Sequence, residues 1–306
     1  MGGEQQVHIK GVIGGLGAYI LWGVLPIYWK LLSAFKPEVI LTFRIVHACV
    51  FLGLIALFSK KLLPMLVIFK DKKKLLLVST SSILITLNWF VYIWSVNHAY
   101  IVEASLGYFI NPLISVAFGV FFLKERVTRS LIGSIFFILI GVGIMTISYG
   151  QIPWIALILA FSFASYGFVK KLTKLDGQTG LTLETILLAL PAAGYLIYAS
   201  LTTGLTVRTP TAGTLVLSLL AGIITAIPLL LFGYAAQKLS LGMLGFIQYI
   251  SPTIQLAVGV LIYGESFTTR HIVTFSCIWI GIIIYSVPQF IAQHKLNMSK
   301  SVIDRA

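Results

Sequence analysis

Polar side chains recur along one face of an apolar stretch in the first half of the chain. In and just before the run FINPLISVAFGVFFLKE (109–125), Tyr108, Asn111, Pro112, Ser115 and Gly119 stand at helical spacing. Residues at this spacing share one face of a helix. Their hydroxyl and amide groups suit the hydrogen bonding of a small molecule, and no nucleophile stands paired with a base among them. The pattern predicts a binding surface rather than a catalytic one.

The same stretch occurs a second time. Residues 249–265 read YISPTIQLAVGVLIYGE, 140 positions later, and seven of the seventeen aligned residues are identical. The equivalent face carries Gln248, Ser251, Pro252, Gln255 and Gly259. Each proline frees a backbone carbonyl, which a membrane tolerates where side chains or water satisfy it. Two interpretations stay open: the stripes line a central cavity, or they only pack and hydrogen bond between helices.

Further candidates stand in other apolar runs. Residues 87–97 place Asn88, Tyr92 and Ser95 on one face, with Trp89 beside them. Aromatic rings with a few amides suit an amphiphilic small molecule. For Trp29 we expect a place in the interfacial aromatic belt instead.

Arg44 is the one basic residue well inside a predicted apolar span. Either its side chain extends outward so that the guanidinium reaches the lipid headgroups, or it faces the bundle interior and pairs with a carboxylate or an anionic substrate group. Glu103 is the nearest acidic candidate by depth. Glu184 lies 140 positions after Arg44, so these two are expected to mark opposite vestibules, although a first-turn carboxylate favoured by the helix dipole is the alternative for Glu184.

The elements that must position these residues follow from composition. The chain of 306 residues is 58% hydrophobic and 10% charged, with a mean hydropathy of +0.99, whereas soluble domains carry about 25% charged residues. Continuous apolar runs of about 20 residues predict membrane-spanning helices. We predict ten, at 11–31, 38–58, 75–97, 101–123, 130–148, 152–169, 181–201, 213–236, 241–263 and 270–290.

The net charge of +13 is distributed unevenly between the two ends of these predicted helices. Seventeen basic residues fall in the tails and in the gaps on the same side, and four fall in the gaps on the other side. By the positive-inside rule, both termini are cytoplasmic in a multi-pass protein of the cell membrane. Anionic lipid headgroups are then the partner of the charge, and nucleic acid is not expected.

The repeat determines the predicted topology. Each half holds five spans, an odd number, so the second half enters the membrane from the opposite side. Inverted repeats of this kind are typical of secondary transporters, which bind substrate between the repeats. The fold class is therefore predicted as all-α integral membrane, with ten transmembrane helices in two inverted five-helix repeats, 10–149 and 150–289, and a cytoplasmic tail, 290–306.

Several stretches carry a resemblance that covers most of the chain. They are WGVLPIYWK (22–30), LNWFVYIWSVN (87–97), VEASLGYFINPL (102–113), TGLTLET (179–185), LGFIQYISPT (244–253) and YGE (263–265). The chain resembles the drug/metabolite transporter superfamily, built of two EamA repeats, and within it the RarD branch. The resemblance implies an inner-membrane permease of metabolites or drugs. It also implies functional positions at Arg44, Asn88, Trp89, Glu103, Asn111, Glu184, Gln248 and Tyr249.

We therefore expect a secondary transporter, permease or exporter, of small metabolites or drugs that works by alternating access. A non-transporting scaffold or accessory subunit and a membrane-embedded enzyme are the alternatives. No metal-binding or phosphate-binding motif stands out, so we expect no enzymatic activity, metal or cofactor; a homodimer stays open. The expected substrate-binding residues are Arg44, Asn88, Trp89, Tyr92, Glu103, Tyr108, Asn111, Glu184, Gln248, Tyr249 and Gln255.

The predicted orientation is testable by labelling single cysteines. In a background without Cys49 and Cys277, a cysteine at Lys36 is expected to react with an impermeant thiol reagent added to intact cells. A cysteine at Lys72 is expected to react only after lysis, because the charge asymmetry places it in the cytoplasm. The reverse pattern would contradict the orientation.

Overall fold

Long apolar runs form helices here because only a helix satisfies its backbone without water. The computed structural model describes residues 2–123, 128–149, 152–239 and 247–303, and these ranges contain helices and one isolated β-bridge, Phe35 with Thr206. The helices before residue 150 are α1 Gly2–Leu31, α2 Pro37–Phe58, α3 Leu62–Leu66, α4 Lys72–Asn97, α5 Ile101–Leu123 and α6 Arg129–Tyr149. Those after it are α7 Trp154–Thr173, α8 Gly177–Leu201, α9 Ala212–Lys238, α10 Ile250–Ala257 and α11 Thr269–Ile303.

Within the described residues, eight helices are long and apolar enough to cross a membrane. Two shorter apolar helices, Ile101–Ser115 and Ile250–Ile262, coincide with the predicted fourth and ninth spans. Part of the predicted ninth span, 241–263, lies outside the described residues, as does Glu125 of the first repeated stretch. The short helix α3 and the 3₁₀ turn Val67–Lys70 were not predicted.

The outer surface of the bundle is apolar. Ile147, Phe58 and Leu190 are 85%, 82% and 82% exposed, so large hydrophobic side chains point away from the protein. A soluble fold would bury such residues, whereas hydrocarbon accepts them. The structure is therefore that of a multi-pass membrane protein.

Local hydrogen bonds explain where several helices begin. The Asp71 carboxylate accepts from the backbone N–H groups of Lys73 and Lys74 at the start of α4. The Asp176 carboxylate accepts from the backbone N–H of Thr179 at the start of α8. The Thr211 side chain likewise accepts from a backbone N–H at the start of α9. Each cap satisfies N–H groups that have no partner inside the helix.

Helices from the two halves of the chain pack against each other more than within each half. The most extensive pairs are α6 with α11, α5 with α7, α4 with α7 and α1 with α9. All four join a helix before residue 150 to one after it. The interior between the halves is therefore a contact surface of the whole bundle, and the cavity described below lies within it.

Two glycines show an equivalent close approach of α6 and α11. A Cβ atom on Gly141 would lie 3.1 Å from the carbonyl oxygen of Thr274, and one on Gly281 would lie 2.9 Å from that of Ser134. Gly281 lies 140 positions after Gly141, and Ser134 lies 140 positions before Thr274. The two contacts are therefore equivalent in the repeat. The absence of a side chain lets these backbones meet, as small residues do in membrane helix pairs.

This packing predicts a difference between two glycine substitutions. Gly281→Ala is expected to lower the free energy of unfolding by about 1–3 kcal/mol, since its Cβ collides with a backbone oxygen. Gly143→Ala in α6 is the matched control, because a Cβ there meets nothing within 4 Å. Thermal unfolding of both variants in detergent measures the difference. Equal midpoints would show that the contact is not tight.

Candidate functional site

A cavity of about 130 Å³ is lined by α1, α2, α4 and α5 from the first half of the chain and by α7, α9 and α10 from the second. Eight of the eleven sequence-predicted residues line it: Arg44, Asn88, Trp89, Tyr92, Tyr108, Asn111, Gln248 and Gln255. The two proline-bearing stripes thus meet at one cavity, although they are more than 100 residues apart. Four more aromatic rings line the wall, from Tyr19, Trp22, Phe163 and Phe232.

Arg44 is the charged group of this lining. It lies seven residues from the start of α2 at Pro37, about 10 Å along the helix, where the hydrocarbon half-thickness is about 15 Å. Its side chain is 3% exposed. The Cζ atom lies 3.9 Å from the ring centroid of Trp89 and 5.1 Å from that of Trp29. The guanidinium is therefore held against two aromatic rings inside the bundle.

The surroundings of Arg44 correct two expectations. Glu103 does not pair with it, because that carboxylate faces the backbone N–H groups of Ile155 and Ala156 at the start of α7. Trp29 is fully buried against Arg44 and is not part of an interfacial belt. Nor does Arg44 extend to the surface.

No hydrogen-bond acceptor contacts the Arg44 guanidinium within the part of the chain that the structure describes, and its Nε is buried without a partner. Burying an arginine at the centre of a membrane helix costs about 2.5–3.5 kcal/mol on insertion scales. Attraction to the two indole rings offsets part of that cost, by about 2 kcal/mol for a desolvated pair. The remaining hydrogen-bonding capacity of the guanidinium is available to a bound molecule.

The asparagines of the cavity bond to α7. Asn88 Nδ2 donates to the Leu159 carbonyl and to Ser162 Oγ, both at 3.0 Å, and Asn88 Oδ1 accepts from the Tyr108 hydroxyl at 3.0 Å. Asn111 Nδ2 donates to the Ala160 carbonyl at 3.0 Å. These two amides therefore line the cavity and bond across a helix interface at the same time. The first polar stripe therefore lines a cavity and also hydrogen bonds between helices, so both interpretations of it apply.

The approach of α5 to α7 makes these bonds reachable. A Cβ on Gly107 would lie 2.6 Å from the Ala156 carbonyl oxygen and 3.0 Å from Leu159 Cβ. Any residue other than glycine would push the helices apart. Gly107 therefore sets the separation that Asn111 spans.

On the α10 side of the cavity, polar atoms are left without partners. Gln255 Nε2 donates to the Trp22 carbonyl at 3.3 Å and to Ser251 Oγ at 3.2 Å. Its Oε1 and the Tyr92 hydroxyl are buried and have no hydrogen-bond partner among the described residues. The Gln248 side chain makes no bond to another described residue. Unpaired buried polar atoms are costly, and their clustering around one cavity is typical of a binding site.

Glu103 lies in a second cavity of about 500 Å³, near the start of α5 and the end of α10. Glu265 also lines it, and its two carboxylate oxygens accept from the backbone N–H groups of Ile101 and Val102, both at 2.8 Å. Gly264 has φ of 64°, a conformation that glycine adopts without strain, and it turns the chain just before Glu265. A carboxylate of the second half thus caps a helix of the first.

Glu184 lies in a third polar environment, toward the end of the bundle where α4 and α8 begin. Its carboxylate accepts from Ser81 Oγ at 2.8 Å, from the Tyr166 hydroxyl at 3.1 Å and from Lys170 Nζ at 3.1 Å. Glu184 is 1% exposed. It forms an ion pair with Lys170 in which the carboxylate is the more deeply buried partner. The residue is saturated by protein donors and does not line the Arg44 cavity.

Tyr249 is the third predicted residue outside the Arg44 cavity. Its ring stacks on Phe109 with centroids 6.3 Å apart, against an apolar cluster formed by α5, α6, α7, α10 and α11. His47 stacks on Phe43 and contacts the Ser218 carbonyl through Nδ1 at 3.0 Å. Neither residue lines the cavity.

Metal-ligating side chains do not cluster among the described residues. Across the described ranges, no three His, Cys, Asp or Glu side chains lie close enough to hold a metal ion together. The donor set of the cavity is one guanidinium with amides, hydroxyls and rings. These groups bind and orient an organic molecule but supply no nucleophile with an adjacent base.

Comparisons with known proteins agree with this architecture. Residues 9–147 match the model of the EamA-like transporter family. The chain is 42% identical to the "Uncharacterized transporter YojE" of Bacillus subtilis (strain 168), over 92% of this chain and 94% of that protein. It is 39% identical to the "Protein RarD" of Streptomyces exfoliatus, over 90% and 87% of the two chains. The "Protein RarD" of Escherichia coli (strain K12) is 37% identical, over 94% and 97%.

The chain belongs to the EamA-like transporter family. The RarD relatives assign it to the RarD-like branch of the drug/metabolite transporter superfamily, which confirms the resemblance seen in the sequence. A solved crystal structure matches the EamA-like chain with a TM-score of 0.61, over 90% of this chain and 97% of the other. At 16% identity that match shows a shared fold.

The different bonding of the two stripes predicts different effects of two leucine substitutions in this EamA-like protein. Asn111→Leu is expected to lower the free energy of unfolding by about 1 kcal/mol, because the Ala160 carbonyl loses its amide donor. Gln248→Leu is expected to stay within about 0.5 kcal/mol of the wild type, since the amide bonds to no other described residue. Thermal unfolding in one detergent compares them. A larger loss for Gln248→Leu would contradict the assignment.

Proposed function

We propose that the chain is a secondary transporter that carries a small metabolite or drug across the cell membrane by alternating access. The observation that carries the proposal is the Arg44 cavity, which is built from both halves of the chain and lined by polar atoms that have no partner among the described residues. A folded protein retains such atoms at a cost. Binding of a substrate in this cavity offsets that cost.

Ten crossings in two inverted repeats, 10–149 and 150–289, are part of the proposal. The equivalent contacts Gly141 with Thr274 and Gly281 with Ser134 support it, because an in-plane twofold axis relates such pairs. Further support comes from the pairing of α1 with α9 and of α4 with α7, the first and eighth spans and the third and sixth. Each pairing joins the first helix of one repeat to the third of the other.

Two polar contacts between the halves lie at opposite ends of the bundle. Glu265 caps α5 at one end, and Ser81 donates to Glu184 at the other. In alternating access, one end of the interface opens while the other stays closed around a fixed site. These bonds are the proposed closures, since each is made of groups that water can satisfy once the end is open.

We place both termini in the cytoplasm. Lys60, Lys61 and Lys72–Lys74 lie at the same end of the bundle as Lys170 and Lys238, which suits the anionic lipids of an inner leaflet. The Ser81–Glu184 contact then lies on the cytoplasmic side. The Glu265 cap lies on the outer side.

Flux through reconstituted liposomes tests the function. A growth screen of cells with and without the chain against metabolites and antibiotics selects the compounds, which are then labelled and followed across the vesicle membrane. Gln248→Leu is expected to reduce the flux of a transported compound at least about tenfold, because it removes an amide that bonds to no other described residue and is left for the substrate.

Gln178→Leu is the matched control, since this glutamine lies in the first turn of α8, away from the cavity. Wild-type rates are expected for it. If the wild-type protein moves no compound that the screen selects, the transport proposal is wrong. If both leucine variants transport normally, the cavity is not the binding site.

A further inference from the structure

The charge of the Arg44 cavity points to the chemical class of the substrate. We infer that the transported molecule is a small organic monoanion, whose carboxylate binds Arg44 while an apolar body lies against the aromatic wall. This inference rests on the proposed function and narrows it. Three features of the described residues support it: the charge count, the unpartnered guanidinium and the ring cluster.

The cavity lining carries one cationic group and no acidic one. Among its lining residues in the described part of the chain, Arg44 alone is charged. The two acidic residues that the sequence associated with Arg44 have other partners: Glu103 faces α7 N–H groups, and Glu184 is held by three donors. A neutral or cationic substrate would leave the guanidinium without compensation, and a cation would repel it. A single negative charge matches the site.

The geometry of the guanidinium favours a planar anion. The Arg44 Cζ atom lies 3.9 Å from the ring centroid of Trp89, so this ring covers one side of the guanidinium. A carboxylate accepts two parallel hydrogen bonds from the fork of an arginine. A phosphate ester carries about two charges at neutral pH, more than one cation in a low-dielectric cavity compensates.

The rest of the wall selects the body of the substrate. Tyr19, Trp22 and Phe232 form a ring cluster with centroids 5.3, 5.6 and 6.1 Å apart. Rings arranged in this way offer faces and edges to a flat apolar group. The unpaired Gln255 Oε1 is an acceptor, so it adds a place for one N–H or O–H donor. A compact carboxylic acid with an aromatic body and one donor group satisfies all of these atoms.

The test compares ligands that differ only in charge. Purified protein in detergent is titrated calorimetrically with benzoate, 3-phenylpropionate and indole-3-acetate, and with the amide and the amine of the same carbon skeletons. At least one carboxylate is expected to bind at least about tenfold more tightly than its neutral amide, and the amine is expected to bind more weakly still. Acetate, which lacks the body, is expected to bind weakly.

Variants assign the preference to Arg44. Arg44→Gln is expected to abolish the difference between carboxylate and amide. Arg44→Lys keeps a positive charge but lacks the planar fork, so it is expected to retain the preference with reduced affinity. Arg208→Gln is the matched control, because this exposed arginine bonds to Ser33 Oγ far from the cavity, and it is expected to bind as the wild type does. Helical content and the unfolding midpoint of each variant are measured alongside. If Arg44→Gln does not fold, the inference is tested by the affinities of the wild-type protein and of Arg44→Lys for carboxylate and amide.

Three results would overturn the inference: no saturable binding of any carboxylate up to about 10 mM, equal affinity for carboxylate and amide, or an unchanged preference in folded Arg44→Gln. Flux of the same compounds separates this inference from the proposed function. Preferential carboxylate binding without flux would refute transport and leave the anion site standing. Flux of neutral compounds that carboxylates do not compete with would leave transport standing and refute the anion site.

Discussion

Inside hydrocarbon a polar group has no water to bond with, so each one must find a partner within the protein or face a cavity. This constraint organises the bundle. Asn88, Asn111 and Glu184 are each satisfied by neighbouring helices, and their bonds hold α4, α5 and α8 to one another or to α7. Arg44 and Gln255 each keep a buried polar atom without a partner among the described residues, and both line the same cavity. The first group holds helices together, and the second leaves polar atoms at the cavity.

The close approach of helices is the second requirement. Lipid tails are as apolar as leucine, so burial of apolar surface does little to drive helices together. Gly107, Gly141 and Gly281 let backbones meet, and the amide bonds form only at that separation. Small residues and polar residues therefore work as one device: the first bring the helices near and the second fix their register.

Much of this was readable from the sequence. The long apolar runs predicted the eight candidate membrane spans of the described residues within a few residues, since a membrane requires length and hydropathy together. The stripes Tyr108–Asn111 and Gln248–Gln255 predicted the cavity lining because helical spacing fixes which residues share a face. Their repetition 140 positions apart indicated that both stripes had one role.

The failures have different physical causes. Glu103 was paired with Arg44 by depth alone, but depth leaves the rotation of each helix about its axis undetermined, and this rotation turns Glu103 toward α7. Trp29 was assigned to the interfacial belt because a tryptophan near a helix end has the same sequence signature inside or outside a bundle. Phe163 and Phe232 of the wall were missed, since aromatic residues in an apolar run carry no pattern of their own. Helix α3 is too short to show a period.

The Glu265 cap has a consequence for biogenesis. Ile101 and its acceptor Glu265 are 164 residues apart, so the helix that needs the cap leaves the ribosome long before the cap exists. At about 5–20 residues per second, the delay is roughly 8–30 s. During that interval the start of α5 depends on water at the membrane surface for its hydrogen bonds. A residue of the second half of the chain therefore completes a helix of the first half, and that helix is finished only after Glu265 has been synthesised.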